Sequence, residues 1–155
     1  MGKLIWHQLS RSVSLTANVY AIWASFRGIS FRKFFWDFVG GVLRSPGGLQ
    51  PSPKVAIFIT IIVKFPIVQI VTMVLGFFMI TLEYPLPVLE GTVLHRSIIL
   101  RVVLLVLLSF VAVLFYQGTN AALWSLVAAM FYIRALMLGE KIEDPKKDAG
   151  EAGEA

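Results

Sequence analysis

Long apolar runs, separated by polar or glycine- and proline-rich stretches, dominate the pattern of the chain. Three of them, 55–82, 98–116 and 119–138, approach or exceed the roughly 20 apolar residues that cross about 30 Å of hydrocarbon. A fourth run, 12–30, is aromatic and less apolar. It contains Ser12, Ser14, Thr16, Asn18 and Ser25. Because such a helix suits packing against other helices, the pattern predicts four transmembrane helices.

Composition changes the picture from apolar helices to a protein embedded in lipid. The chain is 57% hydrophobic and 15% charged, and its mean hydropathy is +0.79. This apolar content exceeds what a small soluble domain can bury. The 155 residues give room for one bundle and a short tail. With no cysteine, the chain has no disulfide, thiolate metal ligand or cysteine nucleophile.

An aromatic and basic block, FRKFFWDFVGG, opens the connection after the first span. At 100° per residue its phenylalanines share one broad side, as in a helix lying flat in the headgroup layer. The block therefore predicts a short amphipathic interfacial helix over 31–43. Its candidate lipid- or partner-binding residues are Arg32, Lys33, Phe34, Phe35, Trp36, Asp37 and Phe38.

The remaining connections define the domain limits. Residues 83–96 contain two prolines and are expected to be extended, whereas the turn at 117–118 is short enough to make the last two spans antiparallel neighbours. Residues 140–155 are charged and predict a disordered aqueous tail after a transmembrane domain over 1–139. The net charge of +5 lies mostly at span ends, which indicates lipid headgroups rather than nucleic acid and favours cytoplasmic termini.

Lys64 lies well inside the second predicted span, two residues before Pro66. Pro66 cannot bond the carbonyl of Ile62, so we expect a bent, hydrated turn with a free acceptor beside the lysine. The other polar residues expected at or near this depth are Gln69, Ser109 and Ser125. Two hypotheses stay open: Lys64 binds a headgroup or an acid of another subunit, or its stem simply reaches hydrated surroundings.

Small residues form a stripe on the fourth predicted span. Ala121, Ser125, Ala128 and Ala135 fall within about 80° of one another, with Tyr132 between them. Such a stripe allows close approach of a second helix, for which we expect a helix of the same chain.

Charged residues at the ends of the spans raise a further possibility of pairing. Glu83 ends the second span in the same layer as Arg101, so the two could form an ion pair, but snorkelling alone explains both Arg101 and Arg134 and is the favoured interpretation.

Catalytic signatures are missing from the sequence. His7 and His95 stand near span ends without acids at ligand spacing, so we expect each to be solvated and to bind no metal. The chain has no glycine-rich phosphate loop, no GxSxG turn and no pair of acids within a span. We therefore expect no catalytic residues and no cofactor.

Three stretches, MGKLIWH at the start, FRKFFWDFVGG at 31–41 and PSPK before the second span, resemble a group of small integral membrane proteins of filamentous fungi that carry a domain of unknown function. The resemblance extends to about Gly139. It implies a fungal membrane location and four helices, and it carries over no activity.

These patterns predict a non-enzymatic multi-pass membrane protein that serves as an accessory or organising subunit. Its expected partners are membrane lipids and another membrane protein or a second copy of itself. The alternative is a small transporter or channel subunit that uses Lys64 and Gln69. A lipid-modifying enzyme would require an acid or nucleophile from another chain.

Overall fold

The computed structural model describes residues 5–31, 54, 56–84 and 92–142, and within these ranges the chain is helical, without strands. The predicted all-α class is confirmed. The helices are α1 (Trp6–Ser30), α2 (Ala56–Ile59), α3 (Ile67–Glu83), α4 (Val93–Arg96), α5 (Ile98–Val113) and α6 (Thr119–Met137). A π-helical turn, Thr60–Lys64, follows α2, and a 3-10 turn, Tyr116–Gly118, precedes α6. The predicted interfacial helix over 31–43 lies outside the described residues, apart from Phe31.

The four long helices form an antiparallel bundle. α1 packs against α3 and α6, and α5 packs against the same two helices from the other side. One end, where α3 finishes at Glu83, is called the Glu83 end. There the Arg11 guanidinium lies 5.0 Å from the ring centroid of Tyr84. At the other, the Gln117 end, the Gln117 side chain donates to the carbonyl of Phe31 at 2.6 Å. Both ends of the helix bundle are therefore tied by contacts between elements that are distant in sequence.

Small residues line the seam between α1 and α6. The buried α6 residues include all four of the predicted stripe, Ala121, Ser125, Ala128 and Ala135. α1 carries a buried stripe of Ser10, Ser14, Ala17, Ala21, Ala24 and Gly28, of which Gly28 lies against Gln69 of α3 and Phe115. Steps of four and three residues alternate in the α1 stripe, and in the α6 stripe when the buried Tyr132 is included, the spacing of left-handed helix packing. Small side chains on both helices allow their backbones to come close.

Gly76 fulfils the same need where α1 meets α3. A Cβ atom at Gly76 would lie 2.9 Å from Ile22 Cγ1 and 3.3 Å from the Asn18 carbonyl oxygen. The Ile22 side chain and the Asn18 carbonyl of α1 therefore leave little room there for a side chain on α3. A larger residue at this position would require Ile22 to shift and the α1 backbone to move by a few tenths of an ångström.

The buried positions combine apolar with many polar side chains, while many large apolar side chains lie on the outside. The buried polar residues include Ser10, Ser14, Asn18, Ser25, Gln69, Thr72, Glu83, Arg101, Ser109 and Ser125. Exposed large apolar residues occur on every long helix, among them Val19, Trp23, Val74, Phe77, Val106, Phe110, Leu123 and Met130. Within the described ranges, one helical segment, Tyr116–Met137, is both long and apolar enough to cross a membrane, with 22 residues and a mean hydropathy of 1.4. The apolar helices α3 and α5 are shorter, at 17 and 16 residues.

We predict that enlarging the seam destabilises the bundle. Ala21 is fully buried, so Ala21→Leu should overpack α1 against its neighbours and lower the free energy of unfolding by about 1–3 kcal/mol. The measurement is thermal unfolding in a fixed detergent. Ser12→Leu, at an exposed position of the same helix, is the matched control and should leave the transition nearly unchanged. Equal effects of both substitutions would contradict the close α1–α6 seam.

Candidate functional site

A buried polar cluster joins three helices at the Glu83 end. Glu83 is the last residue of α3, Arg101 lies in the first turn of α5, and Tyr132 lies in the second half of α6. Arg101 Nε is 3.4 Å from Glu83 Oε2, with both side chains 1% exposed. The Tyr132 hydroxyl lies 2.7 and 2.8 Å from the two carboxylate oxygens. The structure has the Glu83–Arg101 ion pair, which was the less favoured of the two interpretations of Arg101, and Tyr132 is the partner that sequence reasoning missed.

The Arg101 guanidinium also satisfies backbone carbonyls at helix ends. Its Nη2 donates to Leu82 O at 2.7 Å, and its Nη1 donates to the carbonyls of His95 and, at 3.3 Å, Ser97. The last carbonyls of a helix have no partner within the helix, so a buried helix end needs donors from elsewhere. Arg101 supplies them for α3 and α4 together. Its charge is thus fully hydrogen-bonded, as a buried cation must be.

His95 belongs to this cluster, and the expectation that it is solvated was wrong. Its side chain is buried, with Nδ1 3.1 Å from Leu82 O and 3.3 Å from Arg101 Nη2. The reason is α4, a single helical turn capped by the Thr92 hydroxyl, which accepts from the His95 N–H at 3.4 Å. This turn, within a segment predicted to be extended, folds the imidazole under the end of α3.

Glu140 closes the same end of the bundle from beyond α6. Its carboxylate accepts from the N–H groups of Trp6 and His7 at 3.0 and 2.8 Å, and the His7 ring nitrogen Nδ1 lies 3.0 Å away. The N-cap residue of α1, Ile5, has no capping side chain, so Glu140 caps the helix from a distance. His7, expected to be solvated, is partly buried in this contact. The tail predicted from residue 140 therefore begins with a residue the fold uses, and 143–155 lie outside the described residues.

The predicted intramembrane polar residues do not form one site. Lys64 is exposed, whereas Gln69 is fully buried. Gln69 Nε2 donates to the Ile62 carbonyl at 3.0 Å, so the acceptor that Pro66 leaves is bonded by a side chain instead of staying free for water. Ser109 and Ser125 are buried and donate to α6 carbonyls, those of Ala122 at 2.9 Å and Ala121 at 2.8 Å.

The bend itself takes the form of a wide helical turn. Phe65 N–H bonds the Thr60 carbonyl at 2.8 Å, five residues back, and α3 restarts at Ile67 with Pro66 as its N-cap residue. The expected bend at the proline thus has a π-helical geometry, in which an extra residue is inserted into the turn. The candidate residues of the interfacial block, 32–38, lie outside the described residues.

The geometry of the cluster suits holding helices together. The Glu83 carboxylate accepts from Tyr132 and Arg101, and the Arg101 donors are engaged by backbone carbonyls and by that carboxylate. Among the residues that the structure describes, no three His, Asp or Glu side chains are grouped to hold a metal ion. A buried charge pair that bonds three helices fixes their register.

Comparison with family models places the chain in a defined family. Residues 1–140 match the model of DUF7727, a domain of unknown function. The chain therefore belongs to the DUF7727 family, which bears out the resemblance to proteins with a domain of unknown function; fungal origin and membrane location stay predictions. The match ends at Glu140, the residue that caps α1. No curated protein and no solved structure matches the chain.

We predict that removing one hydroxyl weakens the cluster. Tyr132→Phe keeps the ring but removes the donor to the buried Glu83 carboxylate, and hydrogen bonds to charged groups contribute about 1.5–3 kcal/mol. The free energy of unfolding in detergent should fall by that amount. Tyr84→Phe, at an exposed position beside the cluster, is the control and should change it little. A neutral Tyr132→Phe would mean that Glu83 does not depend on this donor.

The Glu140 cap predicts an acid-dependent loss of stability. Partial burial raises the pKa of Glu140, but the N–H groups of His7 and Trp6 and the His7 ring lower it more, so the pKa lies below its ordinary value of 4.5. A lowered folded-state pKa means that the contribution is complete above pH 4.5 and is lost as the pH falls through the folded-state pKa.

Thermal unfolding from pH 7 to pH 3.5 tests this cap. Glu140→Gln should lower the transition temperature at pH 7 and flatten its dependence on pH in the acid range. The basic side chains near this cap are His7 and Arg134, whose guanidinium lies over the Trp6 ring. A double variant that combines Glu140→Gln with His7→Gln separates the contribution of the His7 ring from that of the Glu140 carboxylate to the transition temperature. An unchanged acid slope in Glu140→Gln would rule out the cap as its source.

Proposed function

We propose that this DUF7727 protein is a non-enzymatic, multi-pass membrane protein that acts as an accessory or organising subunit, binding lipid and another membrane protein. The single observation that carries the proposal is the large apolar outer surface of a bundle whose interior also holds many polar side chains. Serine, asparagine, glutamine, glutamate and arginine side chains are buried between the helices, while phenylalanine, valine, leucine and tryptophan cover the outside.

This polarity is the one that hydrocarbon surroundings favour. Soluble monomers rarely expose contiguous apolar patches beyond a few hundred Å². In lipid, apolar side chains lose nothing by facing outward, whereas polar groups must find partners within the protein. The bonds of Ser109 and Ser125 to backbone carbonyls fit that requirement, and Gln69 meets it through its Nε2, although its Oε1 has no partner among the described residues.

Helix lengths are compatible with four crossings. At about 1.5 Å per residue, the 25 residues of α1 extend for about 38 Å, beyond the roughly 30 Å of a hydrocarbon core. The elements from Ala56 to Glu83 together form one bent segment, although α3 alone has 17 residues. The 16 residues of α5 extend for about 24 Å, which the apolar residues that follow the helix would lengthen.

The placement of Lys64 favours an accessory role over the transport alternative. A conduction path would need Lys64 and Gln69 to line one space, yet one is exposed and the other is fully buried and bonded to Ile62. The buried charges of the Glu83 cluster are paired with each other and with backbone groups. A bundle fixed in this way supports a scaffold that presents its outer surface to other molecules.

Co-purification tests the proposal. The tagged protein, extracted from its own membranes in native nanodiscs, should carry a reproducible stoichiometric protein partner together with lipid. The paired substitution Arg32→Glu and Lys33→Glu should weaken that association without preventing insertion, because it reverses the basic part of the interfacial block. The matched control reverses a charge in the tail, Lys146→Glu with Lys147→Glu. Recovery without any partner, or partner and lipid binding unchanged by the first pair, would contradict the accessory role.

A further inference from the structure

The Gln117 end carries a cavity far from the Glu83 cluster. It has a volume of about 280 Å³ and opens between the second half of α1 and the turn that joins α5 to α6. Its lining includes Tyr20, Trp23, Arg27, Tyr116, Gln117 and Asn120. Arg27 alone is charged among the described residues of this lining. The cavity therefore offers a cation among hydrogen-bonding and aromatic groups.

Gln117 supplies an acceptor without a partner. Its Nε2 donates to the Phe31 carbonyl at 2.6 Å, which fixes the amide, while its Oε1 is buried and has no hydrogen-bond partner in the described part of the chain. A buried acceptor of this kind is costly unless a donor reaches it. A ligand that carries an N–H or O–H group would satisfy it. On the same wall, Asn120 Nδ2 lies 3.3 Å from the Tyr20 hydroxyl.

An apolar groove continues from this cavity along α1. It has a volume of about 480 Å³ and is lined by Leu15, Thr16, Val19, Tyr20 and Trp23, of which the last two also line the cavity. From residue 15 to residue 23 a helix rises about 12 Å, close to the roughly 15 Å of one hydrocarbon leaflet. The cavity together with the groove therefore provides a polar, positively charged site for a headgroup and an apolar surface about as long as one leaflet is thick.

We propose that the cavity and groove bind one glycerophospholipid whose headgroup carries a hydrogen-bond donor. Arg27 binds the phosphate, Gln117 Oε1 accepts from the headgroup amine or hydroxyl, and an acyl chain lies along Val19 and Trp23. Tyrosine and tryptophan side chains at this level suit the headgroup boundary. A choline headgroup has neither N–H nor O–H and leaves Gln117 unpaired. This inference rests on the membrane location proposed above.

Native mass spectrometry of the full-length protein with equimolar phosphatidylethanolamine and phosphatidylcholine tests the site. One retained lipid is expected, with the ethanolamine lipid preferred about tenfold, the effect of one hydrogen bond worth about 1.4 kcal/mol. Arg27→Gln should reduce retention of both lipids about tenfold or more, whereas Arg27→Lys should keep it. Gln117→Leu should bring the two lipids to near-equal retention. Arg96→Gln, an exposed arginine at the opposite end, is the control and should change nothing.

Three results would overturn the lipid assignment. If Arg27→Gln leaves lipid retention unchanged, the lipid binds elsewhere. The same follows if Gln117→Leu leaves the preference for the ethanolamine lipid unchanged; both variants must keep the thermal transition of the original protein. Displacement of the lipid by soluble glycerophosphoethanolamine would assign the site to a small phosphate ester. If the protein still requires detergent for extraction, none of these three results contradicts the proposed membrane function. Release from membranes by salt or alkaline washing, without detergent, would defeat both.

Discussion

Arg101 and Glu83 carry opposite charges in a core shielded by helices on all sides, and each must find its partners within the protein. A buried ion pair offsets its desolvation only when its remaining donors and acceptors are also bonded. Arg101 meets this condition by bonding Leu82, His95 and Ser97 carbonyls, and Glu83 meets it through Tyr132. The end of α3, the turn of α4 and the registers of α5 and α6 depend on these contacts.

α1 is attached to this frame in a different way. It has no charged residue in the Glu83 cluster and instead packs through small side chains, with Ala21 and Ala24 in apolar clusters that include residues of α5 and α6. Glu140 then caps its first turn. α1 is therefore held by close backbone contact between small residues along its length and by the Glu140 carboxylate at its first turn, rather than by large apolar side chains. That arrangement explains how a helix with buried Ser10, Ser14, Asn18 and Ser25 can belong to an apolar bundle.

Local patterns made much of the fold predictable. Apolar runs located α5 and α6 to within a few residues. α1, by contrast, begins at Trp6, ahead of the predicted start at 12, and the run 55–82 is divided between α2, the π-helical turn and α3. The alanine stripe on α6 was readable at helical spacing, and the shared layer of Glu83 and Arg101 made their pairing one of two possibilities, the other being snorkelling of the arginine.

What the sequence left out depends on long-range contacts. Nothing local marks Glu140 as a cap for α1, since its partners lie more than 130 residues away. The burial of His95 depends on a single turn held by Thr92 and Arg101, and a four-residue helix leaves no periodic signal. The stripe on α1 could have been found, because its serines, alanines and glycine alternate at steps of four and three. The stripe was not recognised because the polar residues in this apolar run were interpreted only as signs of a weak transmembrane helix.

The central claim, that the outside of the bundle faces lipid, can be measured directly because the chain has no cysteine. Single cysteines replace Val19, Val74, Val106 and Met130, each exposed near the middle of a long helix, and Ser30 and Lys141 at the two ends. Permeabilised membranes are then treated with a water-soluble maleimide, which reacts with the ionised thiol. Lipid-facing positions should label only after denaturation, while Ser30→Cys and Lys141→Cys label at once. Rapid labelling of all six positions in native membranes would show that water covers the apolar surface and would contradict the account.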